Sequence, residues 1–351
     1  MLEALIDQLR NEAELSIEQI REAADALVSP SISASLKADF LLALAEKGET
    51  PTEIAAFAET LRDRAAPVPL SAEEAAGCLD VVGAGGDKLG LVNLSTAAAL
   101  IAAAADLPVA KHGNRAITSK AGSADALEAL GIPIDLSPEA AAEAIRRNRF
   151  AFLFAPRYHP AFRHAAEARR LCAERGRRTI FNFLGPLLNP ARPGRMLVGV
   201  PDPALCRPIA EALRRLGARR VLVVCGLVRG PGRQPPRPMD ELSTLGDTFY
   251  AEAFEEDEIR EGCLLLDTLP VRPAALENLR GGDAAQNARL LQEVLSGADR
   301  GPLRDAVLLN AAAALRVAGA AGSILEGWEQ AALLIDSGRA AEKLAELAAA
   351  R

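Results

Sequence analysis

Residues Val81–Thr96 read VVGAGGDKLGLVNLST, so Gly83, Gly85, Gly86 and Asp87 follow an apolar run and Asn93, Leu94, Ser95 and Thr96 close the stretch. Glycines let backbone N–H groups approach an oxyanion closely. A helix that starts just beyond them adds unpaired N–H donors and the positive end of its dipole. Strand, glycine turn and helix start together make an anion site. The dinucleotide fingerprint does not fit, because Lys88 stands where its third glycine belongs, and no Gly-Lys-Ser/Thr closes a P-loop. On these residues alone, a tight turn followed by a plain helix cap remains an equal reading.

Three further stretches carry reactive groups. Lys111–Asp125, KHGNRAITSKAGSAD, supplies charge from Lys111, Arg115 and Lys120 and a second Gly/Ser-rich helix start at Ser119, Gly122 and Ser123, with His112 and Asn114 between. It follows the next strand and so emerges at the same sheet edge, where open α/β sheets bind ligands. Two such loops imply a ligand with more than one phosphate. Asp240 and Glu241, in MDELST, suit Mg2+, a hard ion that takes oxygen ligands and shares them with substrate phosphates. A bare acidic pair is equally at home on a surface. His159–Arg178 holds His159, His164 and six arginines, including Arg169 and Arg170. An arginine pointing inward there can clamp a carboxylate through two parallel hydrogen bonds.

The elements that must position these groups fall into two parts. Residues 1 to about 65 contain only helical periodicity, with Ser or Thr ahead of three of the four segments. APVPLS then breaks the pattern. We expect a helical domain over 1–67, with a contribution from about 160–180, and an α/β domain over 72–351. In the second part CLDVV, LPVAKHG, FAFLFAP, RMLVGV and RRVLVVCG read as strands alternating with helices, which implies a mostly parallel sheet. Arg229–Pro238, RGPGRQPPRP, reads as a mobile loop.

Composition narrows the classes. Of 351 residues half are apolar, the formal net charge is −7 and only 4% are aromatic, which argues against a nucleic-acid binder with base-stacking platforms. The five cysteines are scattered, with no C-x-x-C, so neither a zinc site nor a disulfide framework is indicated. The N-terminal run has no signal-peptide pattern, and STAAALIAAAADLPVA is too short for a membrane span, so a cytoplasmic protein is expected.

Taken in order, GAGGD, NLST, KHGNRAITSKAGSAD, FAPRYHPA, TIFNFLGPLLNP, MDELS and GGDAAQNA resemble the anthranilate phosphoribosyltransferase family over nearly the whole chain. The resemblance implies α/β architecture with a small all-helical domain, as in nucleoside phosphorylases, and a homodimer with no membrane partner. It implies transfer of a phosphoribosyl group from phosphoribosyl pyrophosphate to anthranilate in tryptophan biosynthesis. By matched position, Gly83, Gly86, Asp87, Asn93, Leu94, Ser95 and Thr96 would hold the diphosphorylated sugar, together with Lys111, His112, Gly113, Asn114, Arg115, Ser119 and Ser123. Ser95, Asp240 and Glu241 would bind Mg2+, expected as two ions. Anthranilate would meet Gly83, His112, Asn114, His159, Arg169, Gly185 and Pro186, with Arg169 on its carboxylate. Lys111, Arg169, Asp240 and Glu241 would be the catalytic set.

The chain departs from that pattern at Ala84, where Thr is usual, and at Leu91, where Ser or Thr is frequent. Its 170–179 segment is longer, and the loop before Asp240 is longer and ends in Pro238-Met239. The altered 170–179 segment leaves open a related transferase or nucleoside phosphorylase with another acceptor, and the Arg-rich loop at 229–237 with the cluster at 163–178 leaves a non-catalytic relative that binds nucleic acid.

Overall fold

The computed structural model describes residues 1–116, 120–230, 232 and 234–350. Ser119, and part of the 229–238 loop, lie outside the described residues.

Four helices open the chain, Leu2–Arg10 (α1), Ile17–Leu27 (α2), Ala34–Lys47 (α3) and Pro51–Arg62 (α4). The Ser16, Ser33 and Thr50 side chains accept hydrogen bonds from the backbone N–H three residues on, which fixes the last three starts. Leu2, Leu5, Ile6 and Leu9 give α1 one buried face. Glu53 ties the bundle together: its carboxylate receives the Leu15 N–H at 3.1 Å and the Lys47 ammonium at 2.7 Å.

A short helix, Ala72–Gly77 (α5), follows the APVPLS break. The sequence reading left it out, although Ser71 and Glu74 form a reciprocal capping box there. Beyond it runs an eight-stranded sheet, comprising Leu79–Gly83 (β1), Val109–Gly113 (β2), Phe150–Phe154 (β3), Arg195–Gly199 (β4), Arg220–Val228 (β5), Arg237–Met239 (β6), Thr248–Phe254 (β7) and Arg260–Leu264 (β8). Its order is β3-β2-β1-β4-β5-β7-β8, with β6 paired to β5. β3, β2, β1, β4 and β5 are parallel, and β6, β7 and β8 join antiparallel. Leu94–Ala104 (α6), Ser123–Ala129 (α7), Pro138–Asn148 (α8), Ala155–Tyr158 (α9), Ala166–Glu174 (α10) and Cys206–Arg215 (α11) lie among the strands. Ala284–Leu295 (α12), Pro302–Val317 (α13), Ile324–Asp336 (α14) and Arg339–Ala349 (α15) end the chain.

The sheet separates two large apolar cores, and a smaller third one gathers Ala110, Ala151, Leu153 and Tyr158 against α8. On one face α6 packs against α13 and receives Leu79, Val81, Leu197 and Leu222. On the other, Val198, Val221 and Val223 meet α11, which touches α4 and so joins the sheet to the bundle. Ala165, Ala168, Cys172, Ile180 and Phe181 enter that second core beside α1–α4. Lys37, buried in the bundle, fixes this insertion by donating to the His164 carbonyl at 2.7 Å. One expectation is corrected here. Arg237 and Pro238 are not loop: they form β6 against Val228 and Leu227, because β5 runs past its parallel neighbours and exposes an edge for pairing.

Candidate active site

The C-terminal ends of β1 and β4 are both glycine, Gly83 and Gly199, and they lie in register. A methyl group on either would collide with Asp240, with its carboxyl at Gly83 and with its backbone carbonyl at Gly199. The missing side chains thus let the Asp240–Glu241 loop lie directly across the sheet edge. Gly226 does the same on β5, where a methyl group would strike the Glu241 carbonyl and Ser243. The acids then reach back to the first loop and helix. Asp240 Oδ2 accepts from the Gly85 N–H at 2.5 Å, and Glu241 Oε1 accepts from the Ser95 N–H at 3.1 Å at the start of α6. Gly85, Gly86 and Lys88 take positive φ, giving the turn that carries Asp87 past Asp240. Asn310 on α13 clamps the loop from behind, receiving the Leu242 N–H and donating to its carbonyl.

Asn93 immediately precedes α6, but its side chain makes no capping bond. It donates to the Ala121 carbonyl at 3.4 Å and accepts from Asn287 Nδ2 at 3.0 Å. The plain-cap reading therefore fails, because this side chain joins the first loop to the second. Leu94 and Thr96 are buried, Leu94 in the core. Gly113 gives close passage to Ser123 and the Phe152 ring. Ser123 donates to the Asn114 carbonyl at 3.4 Å. Asp125 shapes this second loop through the Ala116 and Gly122 N–H groups at 3.0 and 2.8 Å. Arg115 is engaged with Asp125 and Glu128, so to meet a phosphate it must exchange those partners.

Lys111 is 1% exposed, and its ammonium donates to the Val81 carbonyl at 2.5 Å and lies 3.4 Å from Ser95 Oγ. Burial pulls its pKa down, and the nearby Asp80 and Glu241 oppose that. Burial pushes both Asp240 and Glu241 well above the usual carboxylate range, reinforced at Asp240 by Asp87 and at Glu241 by Asp240. Together they hold more buried negative charge than Lys111 balances. A divalent cation fits that surplus and this oxygen donor set. Among the described residues no group of three or more His, Cys, Asp and Glu side chains forms a finished cage.

The third group runs away from β2 as a file of rings. His112 lies 5.2 Å from His159, His159 5.3 Å from Phe162, and Phe162 5.8 Å from Phe181, all between ring centroids. The Arg169 guanidinium ends the file, 5.3 Å from the Phe181 ring. Burial lowers its pKa, with no charged neighbour contributing among the described residues. Gly185 and Pro186 belong to a single 3-10 turn, Gly185–Leu188. The Gly185 carbonyl faces His112 and the Leu188 carbonyl faces His159. Burial holds both imidazoles neutral, lowering His112 to about 3 and His159 to about 4. His112 Nε2 is buried without a hydrogen-bond partner among the described residues.

Sequence reasoning overlooked several supports. Asp80, fully buried on β1, accepts from the His112 N–H at 3.3 Å and from Asn189 Nδ2 at 2.8 Å. It thereby joins β2, and β1 itself, to the segment after the 3-10 turn. A lone acid inside the apolar CLDVV was the available signal. Phe162 and Phe181 carried no signal, since isolated phenylalanines read as core.

A helical bundle set on an α/β layer, with a glycine turn and an acidic pair at the sheet edge, is the two-part architecture of a glycosyltransferase family. Residues 3–65 match the helical bundle domain of the glycosyl transferase family, and residues 75–341 match its a/b domain. The chain is 43% identical over 348 residues to the anthranilate phosphoribosyltransferase of Agrobacterium fabrum, covering 99% of this chain and 96% of that one. It is similar to the crystal structure of the anthranilate phosphoribosyltransferase of Thermus thermophilus, with TM-score 0.84, 42% identity and 98% of each chain covered. The Saccharomyces cerevisiae enzyme, solved in complex with phosphoribosyl pyrophosphate and Mg, gives TM-score 0.84 at 26% identity, covering 99% of this chain and 96% of that one. The chain belongs to the anthranilate phosphoribosyltransferase family.

Proposed function

We propose that this chain transfers the phosphoribosyl group of phosphoribosyl pyrophosphate to the amino group of anthranilate, giving N-(5-phosphoribosyl)anthranilate and pyrophosphate. One observation carries the reading. The Asp240–Glu241 loop crosses Gly83 and Gly199 and hydrogen-bonds both to the glycine turn and to the start of α6. An anion site and a hard-metal site would thereby be one pocket.

Asp240, Glu241 and Ser95 would hold Mg2+. When bound, the ion supplies positive charge against the negative charge that builds on the departing pyrophosphate. Lys111, fixed on Val81 and beside Ser95, adds a buried cation at the same end. The N–H groups of the glycine turn and of α6 act in the same direction, as prearranged dipoles. The ribose passes through an oxocarbenium-like state. Anthranilate's amine is neutral near pH 7 and attacks without prior deprotonation, so placing it is the main task on that side. Arg169, free of any carboxylate partner among the described residues, would receive the anthranilate carboxylate. The ring file from His112 to Phe181 would flank the aromatic body. On the family resemblance, the working form is a cytoplasmic homodimer that uses two Mg2+ ions.

The test is loss of anthranilate fluorescence on adding phosphoribosyl pyrophosphate and Mg2+, with one pyrophosphate released per anthranilate consumed. Hydrolysis of the sugar without anthranilate loss would assign another acceptor. A salt-sensitive gel shift without turnover would assign nucleic-acid binding.

A further inference from the structure

The arginines that lead out of α10 are not alike. Arg170 is paired with Glu167 and Glu174, Arg175 with Asp39 and Arg177 with Glu46. The last two pairs fasten the 175–177 turn to α3 of the helical bundle. Arg178 has no carboxylate partner among the described residues. Its Nη2 donates instead to the Gly86 carbonyl at 3.1 Å, in the glycine turn 92 positions earlier in the chain. A methyl group on Gly86 would come 4.0 Å from that same nitrogen. Next along the chain, Thr179 is buried and its N–H is held by Asn182, so the base of Arg178 is anchored while its tip is exposed.

Arg178 is therefore a bridge between the bundle and the phosphate turn, and it brings a full charge that no carboxylate among the described residues neutralises. A guanidinium carries five N–H donors in a fixed fork, and a single bond to a carbonyl leaves most of them for an anion. The anion due at this turn under the function proposed above, on which this inference rests, is the pyrophosphate of the sugar substrate.

We infer that Arg178 is a pyrophosphate-binding residue, which fastens the glycine turn through Gly86 and lends its charge to the diphosphate that the turn cradles. It is the point where the segment bearing Arg169 also touches the other substrate's site.

Steady-state kinetics of R178A and R178K test this. Because the side chain is exposed, both variants should melt with the wild type. In R178A the KM for phosphoribosyl pyrophosphate and the inhibition constant of inorganic pyrophosphate should rise together by about tenfold, the loss expected for one charge-assisted contact. The KM for anthranilate should stay within about twofold, and R178K should recover part of the loss because it keeps the charge. Unchanged constants for both phosphate ligands would overturn the inference. So would an equal rise in both substrates' KM, which would mark a merely structural contact. If the wild-type protein itself fails to bind phosphoribosyl pyrophosphate, the proposed function falls first and this inference with it.

Discussion

The double substitution Asp240→Asn with Glu241→Gln should make the metal-free chain more stable while removing its Mg2+-dependent chemistry. In the absence of an ion, burial raises Asp240 from 3.8 to about 7 and Glu241 from 4.5 to about 8. At about 1.4 kcal/mol per pKa unit, shifts of this size make each ionised carboxylate a cost of several kcal/mol to the folded state. Their mutual repulsion is shared, and Lys111 loses the Glu241 charge in the variant, so we expect a net gain of about 3 kcal/mol for the pair. Both amides keep an oxygen to accept from the Gly85 and Ser95 N–H groups, so the loop should hold its path. The sign follows from the direction of the shifts. Acids raised by folding cost nothing below about pH 3, where folded and unfolded forms are both protonated. The cost grows as pH climbs through the window and is complete above the folded values. Urea unfolding in EDTA should therefore show the variant more stable at pH 8.5 and level with wild type at about pH 3. Mg2+ at about a hundred times its dissociation constant should add about 2.7 kcal/mol to the wild type and nothing to the variant. A variant that is less stable in EDTA at pH 8.5, or that gains as much from Mg2+ as the wild type, would refute the reasoning.

Three further outcomes can be checked. Arg169→Ala should raise the KM for anthranilate by roughly 10- to 100-fold, the worth of a charge-assisted hydrogen bond, and leave that for phosphoribosyl pyrophosphate nearly unchanged. A loss confined to kcat would count against a carboxylate clamp. Gly199→Ala should lower kcat/KM by about a hundredfold, because its methyl group would displace the Asp240 backbone, whereas Gly77→Ala, with nothing within 4 Å, should be silent in the same assay. Because His112 and His159 are held neutral by burial, stability should fall as pH drops below about 6.5 in the Asp240→Asn/Glu241→Gln background, where the opposite dependence of the two acids is gone. Imidazole NMR signals from both should stay unshifted down to about pH 5.

The five parallel strands and the two loops were legible because each of those strands is a short apolar run, ended by glycine at β1, β2 and β4, and glycine at 83 and 113 has a visible reason once a neighbour must pass close, whereas β7 and β8 went unread. The Asp240–Glu241 pair was ambiguous by itself. What makes it a site is Gly199 and Gly226, two glycines on other strands whose purpose appears only when the loop is laid over them. Asp80 and Asn189 escaped notice because their bond spans 109 positions, and no local pattern records such a contact. The arginine run from 163 to 178 was readable as charge but not as roles. Carboxylates on α3 and α10 neutralise Arg170, Arg175 and Arg177, whereas Arg169 lies against the Phe181 ring and Arg178 against the Gly86 carbonyl. The short strand β6 was hidden by prolines that argue for loop, and it forms only because β5 outruns its parallel partners.

Titration calorimetry of phosphoribosyl pyrophosphate into the protein, run with Mg2+ and again with EDTA, tests most directly whether the glycine turn and the acidic couple act as one pocket. The account predicts a single saturable heat with Mg2+ that is lost in EDTA and lost with Asp240→Asn/Glu241→Gln. Equal binding in all three conditions, or no binding with Mg2+ present, would contradict it.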